Sequence, residues 1–171
     1  VRMNRPDKAN AMNLAMWQDI RAAMQWVDRT PAVRVAVLHG AGDNFCAGID
    51  LGVLAGGLGA FGASFVPRPG RGTNTFQEAC WAWRRVPVPV VAAVHGHCYG
   101  GGLQIALAAD LRFTTADAQW SVLEAKWGLV PDMSGIQALS QQVRMDVAKR
   151  LTMTGEVVSG ARLGTSEHVD W

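Results

Sequence analysis

The glycine-rich stretch 96–102 is the part of the chain best suited to hold a negatively charged oxygen. Three consecutive glycines precede Leu103, which begins a run with the composition of a buried helix. The first turn of a helix carries N–H groups without intrahelical partners and the partial positive charge of the helix dipole. Glycine lets a ligand approach such a backbone closely. The stretch therefore predicts a site for a phosphate or for the oxygen of an enolate.

The glycine spacing does not match the two common nucleotide-binding motifs. The dinucleotide fingerprint Gly-x-Gly-x-x-Gly requires glycine where Cys98 stands, and the phosphate-binding loop requires lysine where Leu103 stands. Two interpretations remain open at this point. One is an oxyanion site, and the other is a tight turn between a strand and a helix that binds no ligand.

Glu124 is the residue best placed for proton transfer. It lies in the segment 123–132, where the surrounding residues are mostly apolar. Burial raises the pKa of a carboxyl group toward the range in which it takes up and releases protons near neutral pH. The alternative interpretation is a salt bridge from Glu124 to Lys126 or Arg112.

A second loop is expected to lie beside the glycine-rich turn. Residues 33–40 form a mostly apolar, β-branched run bounded by proline and glycine, which predicts an interior strand of a parallel sheet. The loop 41–51 follows this strand and offers free backbone N–H groups. We therefore expect it to be the partner of the stretch 96–102.

Alternating helices and strands position these segments. Apolar residues spaced by three or four, together with turn signals, predict helices at 14–27, 76–85, 103–109 and 135–152. Asn13 is the predicted N-cap of the first helix, and Thr30-Pro31 is its predicted end. Further strands are predicted at 89–94, 110–115 and 118–122. Residues 52–75 contain many glycines and little periodicity, which is typical of a mobile loop or lid.

Composition and charge exclude several classes of protein. The 171 residues with 49% hydrophobic content suffice for one core, so we predict a single domain over 1–171. The longest apolar run is far shorter than the ~20 residues of a membrane helix. A net charge of +2 without a basic cluster argues against nucleic acid. Three cysteines and four histidines without metal-ligand spacing predict free thiols in a reducing cytoplasm and no metal site.

Four segments in sequence order resemble the motifs of the crotonase (enoyl-CoA hydratase/isomerase) family; they are 4–11, 45–51, 95–102 and 124–131. The resemblance implies an α/β fold, a spiral of repeated ββα turns that approximates the predicted sheet and helices. It also implies assembly as a homotrimer or as a hexamer formed by two trimers. Compared with the family, we expect the chain to be incomplete at both ends and to lack a C-terminal helical segment.

The resemblance further implies that the protein binds an acyl-CoA thioester and acts in fatty-acid or related acyl-CoA metabolism. No separate cofactor is implied, since coenzyme A is part of the substrate. The backbone N–H groups of Ile49 and Gly101 would form an oxyanion hole for the thioester oxygen. The coenzyme A contacts carried over from the family are Lys8, Ala9, Ala47, Gly48, Asp50 and Leu51.

The resemblance also indicates which reaction to expect. Hydratases of the family use two glutamates on one water; Glu124 matches the second, but Gln104 stands at the first, and a neutral amide does not exchange protons. Dienoyl-CoA isomerases of the family carry a carboxylate eight residues after the second glutamate, the offset of Asp132. Isomerisation is therefore favoured over hydration. A hydratase with a non-standard site and an acyl-CoA-binding protein without activity are the alternatives.

Overall fold

A four-stranded parallel sheet forms the centre of the fold in the computed structural model, which describes residues 1–55, 62–70 and 72–164. In spatial order its strands are β1 (Arg2–Met3), β2 (Ala36–Gly40), β3 (Val90–Val94) and β5 (Leu111–Thr114). Alternate residues of β2 and β3 are buried, because successive side chains of a strand point to opposite faces of the sheet. The predicted parallel sheet is confirmed.

Three strands form a second, smaller sheet, and along the chain one of them lies between two strands of the larger sheet. The smaller sheet consists of β4 (His97–Tyr99), β6 (Gln119–Ser121) and β7 (Val158–Ser159), with β4 and β6 parallel and β6 and β7 antiparallel. The chain passes from β3 to β4 at Gly96, which has a φ of 55°. A Cβ atom there would lie 2.0 Å from the carbonyl oxygen of Asp43, so only glycine fits this crossing.

The first helix, α1 (Leu14–Arg29), forms as the sequence predicts. Oδ1 of Asn13 accepts a hydrogen bond from the Met16 amide at 2.9 Å, and the helix ends at Thr30. An N-cap of this kind contributes about 1 kcal/mol to helix stability. The residues of its buried stripe join the hydrophobic core; they are Met16, Trp17, Ile20, Met24 and Val27.

Six further helices have both of their ends among the described residues. They are α2 (Gly52–Ala55), α3 (Thr75–Trp81), α4 (Gly101–Ala108), α5 (Gly135–Gln142), α6 (Met145–Thr154) and α7 (Gly160–Gly164). Short 3-10 helices cover Pro6–Lys8, Ala82–Arg85 and Leu123–Trp127. No helix of the described residues is long and apolar enough to cross a membrane. All three cysteines are buried and free, as predicted.

The prediction of one helix over 135–152 is wrong, since the backbone becomes extended at Val143 and Arg144. The apolar spacing continues through this break, so periodicity alone does not reveal it. Helix α5 packs against α4, whereas α6 packs against the 3-10 helix Leu123–Trp127. These different packing partners explain why the segment divides into two helices.

The predicted loop 52–75 is only partly described. Residues 52–55 form α2, and Asn74 caps α3 through a reciprocal pair of hydrogen bonds with Gln77. Residues 56–61 and 71 lie outside the described residues. The mobility predicted for this loop stays a prediction.

Candidate active site

The two predicted loops lie side by side. The amide of Cys46 donates to the carbonyl of His97 at 2.8 Å, and the amide of Tyr99 donates to the carbonyl of Cys46 at 2.9 Å. These bonds form a short parallel bridge between Cys46 and Cys98. The middle of the loop after β2 is therefore held against β4, just before α4 begins.

The backbone N–H groups of Ile49 and Gly101 are both available to a ligand. Met12 bonds the residues on either side of Ile49, receiving a hydrogen bond from Asp50 and donating one to Gly48. In extended backbone this arrangement turns the Ile49 N–H to the opposite side. Within the described part of the chain, neither this N–H nor that of Gly101 has a hydrogen-bond acceptor.

Gly48 allows the two donors to approach each other. Its φ is 100°, and a Cβ atom added there would lie 3.0 Å from the Tyr99 carbonyl oxygen and 3.5 Å from the Gly101 nitrogen. Ile49 and Gly101 line one cavity of about 180 Å³. The geometry thus brings two unpaired amide donors to the wall of a cavity.

Most of the cavity wall is apolar. Its hydrophobic side chains are Trp17, Phe65, Phe76, Leu129, Val130 and Met133. The Phe76 ring packs edge-on against Trp17 and Phe65, at centroid distances of 4.7 and 4.8 Å. The polar side chains of the wall are those of Gln104, Glu124 and Asp132. An apolar cavity with few polar groups is typical of a small-molecule site.

Glu124 is a buried carboxyl group at this cavity, with a relative exposure of 8%. Oε1 accepts a hydrogen bond from Nε2 of Gln104 at 2.7 Å, whereas Oε2 is buried and has no hydrogen-bond partner among the described residues. Burial is the main cause that raises the Glu124 pKa, and the nearby Asp132 raises it further. The alternative salt bridge to Lys126 or Arg112 is wrong, because Glu124 pairs with Gln104 instead.

Gln104 connects Glu124 to the start of α5. Its side chain is buried, and Oε1 accepts a hydrogen bond from the Gly135 amide at 2.9 Å. The sequence marked Gln104 as a site residue but did not indicate Gly135 as its partner. No sequence signal links two positions separated by 31 residues in this way.

Asp132 lines the same cavity from the segment between the 3-10 helix and α5. Partial burial of its carboxyl group raises its pKa. The structure therefore places Glu124, Gln104 and Asp132 around the cavity that Ile49 and Gly101 also line. All five residues predicted for the oxyanion hole and the catalysis are brought together.

The six residues predicted to contact coenzyme A come from two segments: Lys8 and Ala9 lie at the first 3-10 helix, and Ala47, Gly48, Asp50 and Leu51 lie in the loop after β2. Lys8 is exposed in the 3-10 helix Pro6–Lys8, and the carbonyl of Ala9 accepts the Ala47 amide at 2.9 Å. Leu51 is also exposed. Gly48 lies next to Ala47, where it faces the glycine-rich turn.

Asp50 is occupied by an ion pair. Its Oδ2 lies 2.9 Å from Nη2 of Arg5, and Oδ1 accepts the Gly52 amide. The hydrogen bond from Arg5 is the main cause that lowers the Asp50 pKa. This pairing makes Asp50 a support for the loop as well as a predicted ligand contact.

Asn10 is a positioning residue that sequence reasoning did not single out. It is fully buried, and Nδ2 donates to the carbonyls of Ala41 and Asn44 at 2.8 and 2.7 Å. Its Oδ1 accepts the Arg5 amide at 2.8 Å. These bonds tie the segment 4–11 to the loop after β2. A buried, fully paired amide explains why asparagine stands at position 10 of the first motif.

The model of the family "Enoyl-CoA hydratase/isomerase" matches residues 1–165. The chain belongs to the enoyl-CoA hydratase/isomerase family. This membership agrees with the paired loops and with the α/β spiral that the motifs implied. The described residues contain no group of three or more His, Cys, Asp or Glu side chains placed to hold a metal ion.

Curated relatives of the family carry names of two kinds. A mitochondrial "Delta(3,5)-Delta(2,4)-dienoyl-CoA isomerase" of Mus musculus is 34% identical over 84% of the chain and 45% of its own length. An "(E)-benzylidenesuccinyl-CoA hydratase" of Thauera aromatica is 32% identical over 93% of the chain and 59% of its own length. The chain thus spans about half the length of these relatives.

Solved structures of the family share the fold. The enoyl-CoA hydratase of Bacillus anthracis superimposes with a TM-score of 0.83 at 29% sequence identity, covering 93% of this chain and 59% of that one. The enoyl-CoA hydratase/isomerase family fold is therefore present in the part of the chain that the structure describes.

Proposed function

We propose that this protein isomerises the double bonds of an unsaturated acyl-CoA thioester. The observation that carries this proposal is that two carboxyl groups with raised pKa values, Glu124 and Asp132, line one cavity with the free N–H groups of Ile49 and Gly101. Relatives named as dienoyl-CoA isomerases support it.

The reaction begins with removal of a proton from the carbon beside the thioester carbonyl. Glu124 takes this proton, and the electron pair of the broken C–H bond moves onto the thioester oxygen to form an enolate. The N–H groups of Ile49 and Gly101 stabilise that oxygen, and one such donor typically contributes ~3 kcal/mol in the transition state.

The second half of the reaction returns a proton to a more distant carbon of the acyl chain. The enolate carbonyl re-forms, the double bonds shift along the chain, and no atom is gained or lost overall. Asp132 is the proposed proton donor when the carbon that receives the proton is distant from the thioester. Glu124 is the proposed proton donor when that carbon lies near the thioester. Burial raises the pKa of Asp132 and so favours its protonated form relative to an exposed aspartate. Proton exchange with solvent afterwards returns Glu124 and Asp132 to their starting states.

Gln104 is the reason that isomerisation is preferred to hydration. Adding water requires one group to activate the water and a second group to deliver a proton, which two carboxyl groups do well. The Gln104 amide neither takes up nor gives up a proton in this pH range. A hydratase with a non-standard site is therefore the second candidate.

Further features of the family enter the proposal by the same reasoning. Lys8, Ala9, Ala47, Gly48, Asp50 and Leu51 are proposed to hold coenzyme A, which is part of the substrate, so no separate cofactor is needed. The protein is proposed to assemble as a homotrimer or as a hexamer. It is also proposed to act in acyl-CoA metabolism. A cytoplasmic location stays a prediction, since relatives are named as mitochondrial and peroxisomal proteins.

The decisive experiment measures isomerisation of a 3,5-dienoyl-CoA and hydration of crotonyl-CoA by the same preparation. We expect isomerisation to be faster. Glu124→Gln lowers it by at least about 100-fold and Asp132→Asn by at least about tenfold, because each removes a proton-transfer group. The control is Asp146→Asn, an exposed carboxylate paired with Arg144 away from the cavity, which leaves the rate unchanged.

Two results would contradict the proposal. Faster hydration than isomerisation would favour the hydratase. Tight binding of an unreactive acyl-CoA in calorimetry, without turnover of any enoyl-CoA, would instead identify a binding protein that lacks activity.

A further inference from the structure

The Gln104 side chain is held by a partner at each end of its amide. Nε2 donates to Oε1 of Glu124 at 2.7 Å, and Oε1 accepts from the Gly135 amide at 2.9 Å. Gln104 is 2% exposed, so both bonds are shielded from water. Buried hydrogen bonds of this kind restrict a side chain to one orientation.

The Gly135 amide decides which way the Gln104 amide points. A backbone N–H only donates, so the group of Gln104 that faces it must be the carbonyl oxygen. The NH₂ group consequently faces Glu124. Gly135 also leaves space for this arrangement, because a Cβ atom there would lie 2.6 Å from both Cγ and Oε1 of Gln104.

The two oxygens of Glu124 therefore differ. Oε1 is occupied by the Gln104 NH₂ group, and Oε2 is buried with no hydrogen-bond partner in the described part of the chain. The carboxylate packs on Gly100, where an added Cβ atom would lie 3.4 Å from Oε1 and 3.6 Å from Oε2. An unpaired buried carboxylate oxygen is unfavourable unless a ligand or a proton supplies the missing partner.

We propose that Gln104 is a positioning residue that holds Oε1 of Glu124, so that Oε2 is the oxygen that exchanges the proton with the substrate. This inference rests on the proposed function only for the identity of the substrate. It assigns Gln104 a task different from that of orienting a water molecule. Its oxygen is already used by Gly135, and its NH₂ group by Glu124.

The first test follows the free protein by NMR and needs no turnover. The wild-type protein is labelled with ¹⁵N in its glutamine side chains and with ¹³C in its glutamate carboxyl groups. The resonances of Gln104 and Glu124 are assigned by substituting each residue. We expect the Gln104 NH₂ resonances to change with pH at the same midpoint as the Glu124 carboxyl carbon, because the donated bond strengthens on ionisation. In Glu124→Gln the Gln104 resonances no longer titrate.

The second test replaces the Gln104 amide by an apolar side chain of similar length. Gln104→Met moves the Glu124 midpoint to higher pH, because the ionised carboxylate loses its donor. The matched control is Gln142→Met. It removes another hydrogen bond between α5 and α4, which Nε2 of the Gln142 side chain donates to the Leu107 carbonyl at 2.8 Å. This control leaves the Glu124 midpoint unchanged.

Kinetics complete the test. Gln104→Met is expected to lower kcat of isomerisation about tenfold with little change in KM, because a lost charge-assisted hydrogen bond acts on the proton-transfer step. Two results would overturn the inference even for an active enzyme. One is that the Gln104 resonances do not change as Glu124 titrates, and the other is that Glu124 has the same titration midpoint in Gln104→Met and Gln142→Met. Absence of turnover with the titrations as expected would overturn the proposed function alone.

Discussion

The two sides of the cavity are built in different ways. The donor side consists of backbone N–H groups on two loops that are bonded to each other and to β4. The acid-base side consists of side chains on a 3-10 helix and the segment after it, where Leu129 and Val130 are exposed. Backbone bonds position the first side, whereas the Gln104 amide positions the second.

This difference predicts different responses to substitution. A backbone donor does not depend on the identity of its own side chain, so Ile49 serves as well as any residue that leaves the loop in place. It does depend on the spacing of the loops, which glycines set. The carboxyl groups depend on identity, charge and burial, and small changes there alter the pKa more than the fold.

The largest effect is expected from separating the two loops on the donor side. In Gly102→Ala the added Cβ atom would lie 2.3 Å from the Cys46 carbonyl oxygen and 2.7 Å from Cys46 Cβ. The loops must move apart, which displaces the N–H groups. We expect a loss of about 100-fold in kcat/KM and about 1–3 kcal/mol in the free energy of unfolding.

The control for this prediction is Gly62→Ala, since no described residue other than its chain neighbours has an atom within 4 Å of the Cβ position there. Isomerase kinetics and urea unfolding of both variants measure the contrast. Equal activity in the two variants would show that the spacing of the loops does not determine catalysis.

A gain of hydration is expected from a change on the acid-base side. Gln104→Glu places a second carboxyl group beside Oε1 of Glu124, where the Gln104 amide now lies at 2.7 Å. Two adjacent carboxyl groups share one proton, so one acts as acid and the other as base. We expect crotonyl-CoA hydration to rise by at least about tenfold. A wild-type protein that already hydrates as fast would show that the amide suffices, and Gln142→Glu serves as the control.

The smallest effect concerns stability. Because the Glu124 pKa is raised in the folded protein, the folded state holds this proton to higher pH than the unfolded chain does. The stability therefore falls as pH rises through the folded pKa. Glu124→Gln removes the buried charge, so we expect its Tm to exceed the wild-type value by a few degrees near pH 8, and by less near pH 4.

Scanning calorimetry at the two pH values measures this difference, with Asp146→Asn as the exposed control. A Tm difference that is the same at both pH values would contradict a role for the charge of Glu124. The three experiments together separate the backbone side of the cavity from its side-chain side.

Local features of the sequence were sufficient for much of the fold. Asn13 as a cap, the β-branched run ending at Gly40 and the glycines before Leu103 each act on their nearest neighbours. The corresponding helix, strand and turn were predicted because such signals need no distant partner. The motifs also indicated the family, which the family model confirms.

The tertiary structure alone decided how the site is arranged. The sequence pattern is continuous where the structure breaks between α5 and α6. Two contacts join residues that are far apart in the sequence, namely the ion pair of Asp50 with Arg5 and the hydrogen bond from Gly135 to Gln104. The sequence predicts a role for Glu124 that depends on its burial, but both this burial and the hydrogen bond to Oε1 come from other elements. A pKa and an oriented hydrogen bond depend on what surrounds a group in space, and a pattern along the chain does not contain that information.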